Sequence, residues 1–312
     1  MKNIAVLSFL VIILLPLFPA FSQEQSGNRA YSFSIGTQLG FVHGQSLEFV
    51  YQGNNTGELL SELRYDMEPV FYLGLQADFG RADLMSAPGV FTSLSFKIGI
   101  PGDSGTHQNR DWRIAGTLTD FSSHTNKTRD FYWLDALFGI SIPVRSNFYI
   151  TPFLSGSWMH LAFTGRDGHG FYIWRTPPDV SFEGSEVIHY KQDWFIIAVG
   201  FSAGTNIFYP FSFAFSFQIS PFSHCIATDQ HLTNNRTFRD NTARGLFLEP
   251  RGRVSFALNR FDFSLEAAYR YIGRTIGPSR IDDGNTGHFV PSGDAGAGLS
   301  LFDGRFLVSL RI

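Results

Sequence analysis

Cysteine is all but missing from this chain of 312 residues: Cys225 stands alone. No disulfide can form within the molecule, so backbone hydrogen bonds and packing must hold the fold. Lysine is scarce and the net charge is only −3 at pH 7, which leaves no electrostatic case for a nucleic-acid partner. After the N-terminal segment no apolar run approaches about 18 residues, and this excludes a bundle of membrane-spanning helices. The nine histidines form neither a His-Glu-x-x-His pattern nor a tight cluster, so no metal and no cofactor is expected. Internal repeats and low-complexity tracts are also lacking.

Aromatic residues and glycine are abundant instead, with 34 Phe, 11 Tyr and 31 Gly. That is more than an ordinary soluble enzyme carries, and it suits an exported membrane barrel. The N-terminus reads as a secretory signal over residues 1–22. Lys2 gives the positive start, Ile4 to Phe18 the apolar stretch, and Ala20-Phe21-Ser22 a small-x-small cleavage site. The mature chain is expected to begin near Gln23, with no cysteine there to carry a lipid. A retained anchor is the competing reading, for which the segment is short.

Alternation dominates the mature chain. Phe211, Phe213, Phe215 and Phe217 share one face of a strand, and Ser212, Ala214, Ser216 and Gln218 the other. Phe263, Leu265, Ala267 and Tyr269 likewise oppose Asp262, Ser264, Glu266 and Arg270. At the C-terminus Phe306, Val308, Leu310 and Ile312 oppose Arg305, Ser309 and Arg311. A soluble sandwich would turn the phenylalanines inward, whereas a membrane barrel turns them to lipid. Composition and the export signal favour the barrel.

Ten strands are expected, at 31–42, 57–79, 89–100, 131–142, 147–164, 187–206, 209–222, 243–258, 261–273 and 295–312. An even number lets one chain close. The fold class is thus all-β, a ten-stranded antiparallel transmembrane β-barrel of the cell outer membrane, formed as a single domain over residues 23–312, monomeric and surrounded by outer-membrane lipid. Short turns fall at 81–88, 143–146, 207–208 and 259–260. Five long extracellular loops fall at 43–56, 101–130, 166–186, 224–242 and 274–294. Tyr132, Trp133, Trp158 and Trp194 near strand ends suit either interfacial girdles or interior packing. Arg251, Arg253, Arg270, Arg305 and Arg311, with Asp262 and Glu266, are expected to form a charged network in the lumen.

The chemistry centres on Asp229-Gln230-His231. In extended backbone, residues two apart share a face, so a carboxylate stands beside an imidazole and forms a general-base pair. In another long loop Asn109 and Asp111 are again two apart and can enter the same mouth. A water held between the two pairs would be polarised by His231 and could attack a peptide carbonyl. His107, His124 and His224 are placed on the same rim. Gly200-Phe201-Ser202-Ala203-Gly204 spells a nucleophile elbow, but it lies inside an alternating strand with no helix to follow and is set aside.

With these residues in view the chain resembles the omptins, ten-stranded outer-membrane proteases, over most of its mature length. Gly36-Thr37 followed by Glu48-Phe49-Val50-Tyr51 resembles the family's first hairpin, and Leu60-Ser61-Glu62-Leu63-Arg64-Tyr65 its second strand. Gln108 to Trp112, then Thr119-Asp120 and His124, resemble the catalytic second loop. Tyr190-Lys191-Gln192 matches a tripeptide after the third loop, and Asp229-Gln230-His231 falls on the family's Asp-x-His pair.

The resemblance implies an aspartic-type endopeptidase in which His231 is the base, Asp229 its orienting partner and Asp111 one of two opposing carboxylates. Asn109 stands where the first opposing aspartate is expected, and an amide can hydrogen-bond a water or an oxyanion but carries no negative charge. Glu48 matches an acid that lines a pocket for a basic side chain, whereas Ala227 replaces a second acid. The expected function is therefore hydrolysis of peptides or proteins at the cell surface, with a preference for basic residues. The alternatives are an impaired relative serving as an adhesin or surface-interaction protein, and, more remotely, a diffusion pore.

Overall fold

The structure, a computed structural model, describes residues 31–52, 55–81, 87–208, 210–284 and 286–312. The signal segment expected at 1–22 and its cleavage point lie outside these residues, as does most of the turn expected at 81–88. The described chain is built of thirteen strands: β1 (Tyr31–Gln52), β2 (Asn55–Arg81), β3 (Gly89–Gly99), β4 (Gly102–Asp111), β5 (Asp120–Arg145), β6 (Phe148–Tyr172), β7 (Asp179–Ser181), β8 (Glu186–Phe208), β9 (Phe211–His231), β10 (Arg236–Leu258), β11 (Phe261–Ile272), β12 (Gly277–Asp283) and β13 (Val290–Arg311).

These strands make ten walls. β3 and β4 are two halves of one wall, interrupted at Ile100 and Pro101, and β11 and β12 are two halves of another. The short β7 is a flap paired to β6. Every neighbour pairs antiparallel, and β1 pairs with β13 from Ser34↔Arg311 to Val50↔Ala295, which closes the ring. Closure satisfies the backbone without leaving an edge, as a membrane demands.

The alternation read from the sequence is observed. Leu39, Phe71, Leu73, Leu75, Ile197, Phe213, Phe215, Leu265 and Phe306 project outward as an apolar band. Above Phe195, Phe222 and Phe302 the outward side chains turn mostly polar, for example Lys191, His224, Thr228 and Gln230. The strands do not stop at that boundary. β2, β5 and β6 run to 27, 26 and 25 residues, where about 10 suffice to cross a bilayer. Most of 43–56, 101–130, 224–242 and 274–294, expected as loops, is therefore strand that carries the barrel wall beyond the membrane. Polar composition marked these stretches as loops, but strand pairing needs only backbone partners, and both faces here meet water or the lumen.

Inside the membrane zone a charged network crosses the lumen, beside a cavity of about 290 Å³ whose lining includes Gln76, Ser95, Tyr149 and Arg253. Arg270 donates to Glu249 at 2.6 Å and Ser157 at 2.9 Å and reaches Asp135 at 3.3 Å. Arg251 and Arg253 pair with Glu266 at 3.1 and 2.8 Å, Arg305 also pairs with Glu266, and Lys97 pairs with Asp303 at 2.6 Å. The expected network is thus present, except that Arg311 forms a separate half-exposed pair with Asp262 at 2.8 Å near the short-turn end. Of the four aromatics, Trp133 and Trp194 are fully buried in the lumen, with Arg270 over the Trp133 ring at 4.0 Å. Trp158 donates from outside the wall to Asp193, and Tyr132 stacks on His160. Gly200 to Gly204 lie within β8.

Candidate active site

Above the membrane zone β9 and β10 form a hairpin through residues 232–235, with His231 opposite Arg236. Along β9, Ser223, Cys225, Ala227 and Asp229 are buried and face inward, whereas Ile226 faces out. His231 continues the inward face. Asp229 is 2 % exposed, and His231 Nε2 lies 2.6 Å from Asp229 Oδ2. Because a carboxylate only accepts, the ring proton is on Nε2 and the Nδ1 lone pair is left for another partner. Phe238 meets the imidazole edge-on at 5.5 Å.

The other wall is β4. His107 faces inward, and by alternation so do Asn109 and Asp111, while Arg110 turns away and donates to Gln108 at 3.1 Å. Ser61, directly across from Asp111 on β2, donates to Asn109 Oδ1 at 2.9 Å and also stands beside the Asp111 carboxyl. The amide nitrogen of Asn109 is thereby turned away from Ser61. Arg113 pairs with Asp120 at 2.7 Å and lies 3.7 Å from Asp111.

Electrostatics tie the two walls together. Burial of His231 works against its charged form, but the Asp229 carboxylate, its hydrogen bond and the Asp111 carboxylate outweigh that and raise the imidazole above its ordinary value. Burial raises Asp111, opposed by Ser61 and Arg113. The same arrangement thus makes His231 a stronger base and leaves an opposing carboxyl across the mouth.

A stack of rings spans the lumen beneath. Tyr190 lies 4.3 Å from Tyr65, Tyr65 lies 4.5 Å from His107, and His107 lies 5.4 Å from His124. Gly165 makes this stack possible, because a Cβ there would stand 2.7 Å from His107 Nδ1. Gln192 locks the floor to β1. It accepts from Ser46 and Trp194 at 2.7 and 2.8 Å and donates to Leu47 O and the Tyr190 hydroxyl at 3.0 and 2.7 Å.

Three acids share the space next to this floor. Glu48 from β1, Asp229 from β9 and Asp240 from β10 are 1, 2 and 3 % exposed, and each has one carboxyl oxygen without a hydrogen-bond partner. Burial first, then the charges of Asp229 and Asp240, push Glu48 well up. Ala227, also buried, is directly across from Asp240.

The structure therefore brings together Asp229, His231, Glu48 and Ala227 on one side and Asn109 and Asp111 on the other. Of the three rim histidines, His107 and His124 are in the buried stack. His224 is not on the rim. Its side chain is on the outer face at the upper edge of the apolar band, where it bonds Asn241 at 2.6 Å. Asp240, Tyr65 and Ser61 were not picked out as site residues in the sequence. Asp240 lies in the stretch expected as a loop, and only the observed pairing of β9 with β10 sets it across from Ala227. Among the described residues no group of His, Cys, Asp and Glu is disposed to hold a metal ion.

The family model of the omptins matches residues 29–306. In structure the chain is similar to the outer-membrane protease OmpT from Escherichia coli. That match has a TM-score of 0.78 and 17 % identity over 93 % of this chain and 99 % of that one. The translocator domain of the autotransporter NalP from Neisseria meningitidis also matches, with a TM-score of 0.37 and 9 % identity, covering 100 % of this chain and 98 % of that one. No curated protein matches the chain in sequence.

Proposed function

The chain belongs to the omptin family, and from that premise we propose that it is an outer-membrane endopeptidase whose water is activated by the Asp229–His231 pair. The observation that carries this is the 2.6 Å contact between His231 and a buried carboxylate, facing Asp111 across the mouth.

In this mechanism a water lies between His231 Nδ1 and Asp111. The imidazole takes one of its protons as the oxygen bonds to the peptide carbonyl carbon. Asp229 holds the ring and balances the imidazolium, as an acceptor-only partner can. The Asn109 amide, oriented by Ser61, offers N–H groups to the water or to the oxyanion that develops. The imidazolium then gives its proton to the leaving nitrogen, the C–N bond breaks, and the ring returns to its neutral form. Glu48 draws in substrates with a basic side chain next to the scissile bond.

The test is cleavage of a fluorogenic peptide library containing Arg and Lys by the refolded mature chain beside His231→Ala. Cleavage that vanishes in His231→Ala supports the reading. No cleavage by the wild-type chain, or equal cleavage by both, overturns it.

A further inference from the structure

The proposed substrate pocket has lost one acid at Ala227, yet the space in front of that residue is not neutral. β9 and β10 pair so that Ala227 and Asp240 are direct partners. A methyl group on one strand faces a carboxyl on the next, and both are buried. We propose that Asp240 is a specificity-determining residue, supplying from β10 the second acid of a cradle, shared with Glu48, for the guanidinium or ammonium group of a substrate side chain.

This inference rests on the protease reading for what the pocket is used for, and on three observations for its chemistry. The first is that the charges acting on Glu48 and Asp240 are those of neighbouring acids, Asp229 and Asp240 on the one and Asp229 on the other, whereas the His231 imidazole is already engaged by Asp229 Oδ2. The second is that Glu48 Oε2, Asp229 Oδ1 and Asp240 Oδ1 are buried without a hydrogen-bond partner. Such oxygens are costly to leave unpaired, and they await a donor. The third concerns shape. Ala227, Ala295 and Ala297 are all buried, and Glu48 pairs with Ala297 on β13, so small side chains stand beside the acids. Because no set of three among the described acids and histidines converges on one metal position, a long side chain with several spread donors fits better than an ion. Arginine, with five N–H groups in a planar fork, is the best match.

The apo cluster holds its charge in check. Burial, opposed by Ser279 and reinforced by Asp229, pushes Asp240 up to about 7. The titratable groups around Asp240 are Glu48 from β1, Asp229 and Cys225 from β9, Tyr65 from β2 and Tyr190 from β8, and Ser279 from β12 supports its carboxyl. An entering cation favours the ionised carboxyl and displaces its proton. Preference for arginine over an uncharged analogue therefore sharpens as pH rises through neutrality.

The deciding experiment measures binding rather than turnover. Matched dye-labelled peptides carrying arginine or its uncharged analogue citrulline are titrated by fluorescence polarisation onto refolded His231→Ala. The same titration is run on His231→Ala combined with Asp240→Asn, and on that double variant with Ala227→Asp added. The arginine-over-citrulline ratio is expected to fall at least about tenfold on Asp240→Asn, as for loss of a charge-assisted hydrogen bond, and to recover when Ala227→Asp returns an acid to the facing position. An unchanged ratio in Asp240→Asn, or no preference for arginine in the parent, overturns the proposal. Arginine discrimination without cleavage by the wild-type chain would keep the pocket and remove the protease. Cleavage with discrimination indifferent to Asp240 would do the reverse.

Discussion

The Asp229 carboxylate is shared between two tasks: Oδ2 bonds His231 Nε2 at 2.6 Å, while Oδ1 is buried without a partner and the carboxylate's charge acts on Glu48 and Asp240. One residue thus joins the base to the acid cluster. Substitutions there should be read in both pH dependence and substrate preference.

For the base, the sign is set by the raised value of His231. Its neutral form appears only above a value higher than the ordinary 6.5, so kcat/KM should rise with pH through a limb above that value. Removing the anion in Asp229→Asn lets burial dominate, which moves the limb to lower pH, and it takes away the ring's orienting partner. A fall of about 10²–10⁴-fold in plateau activity is expected. A pH profile of both proteins checks the direction of the shift.

Asn109→Asp places a second carboxyl beside Ser61 and Asp111. Two half-buried carboxyls this close repel as anions, so one holds its proton to higher pH while the other ionises, which supplies an acid and a base at the same place until both are charged. Activity on arginine peptides should increase, and the limb attributed to His231 should move further up as negative charge is added. Steady-state kinetics across pH measures both.

Gly165→Ala would bring a Cβ within 2.7 Å of both His107 Nδ1 and Ile188 Cγ2. Overpacking of this kind costs about 1–3 kcal/mol. Unfolding titrations in detergent should show that loss, and near-ultraviolet dichroism should report the disturbed stack of Tyr65 and Tyr190.

Arg270→Ala removes the cation shared by Glu249 and Asp135 in the lumen and the group lying over Trp133. Leaving those acids buried without it should cost about 3–5 kcal/mol. The same titrations read it, and peptide cleavage at low denaturant should be affected far less, because the lumen network is separated from the mouth by the ring stack.

Composition and alternation were enough to read a closed barrel, because lipid on one side and a polar lumen on the other force a period of two on every wall. Asp229, His231, Asp111 and Asn109 were legible for the same reason, as polar pairs two apart. Where such pairs point was not legible. On β9 the even-numbered residues face the lumen through Ser220, but from Ser223 upward the odd-numbered ones do. Extended without interruption, the phenylalanine phase of 211–217 would have put Asp229 and His231 on the outer face. Pro221 and Phe222 bulge between Ser220 and Ser223, and the phase reverses. A similar shift occurs on β2 between Met67 and Val70 and on β5 between Thr128 and Asp130. A bulge costs one unpaired residue and is chosen by the fit to both neighbouring strands, which no single stretch of chain encodes. The meeting of Ala227 with Asp240, and of both walls across the mouth, arises likewise from cross-strand register.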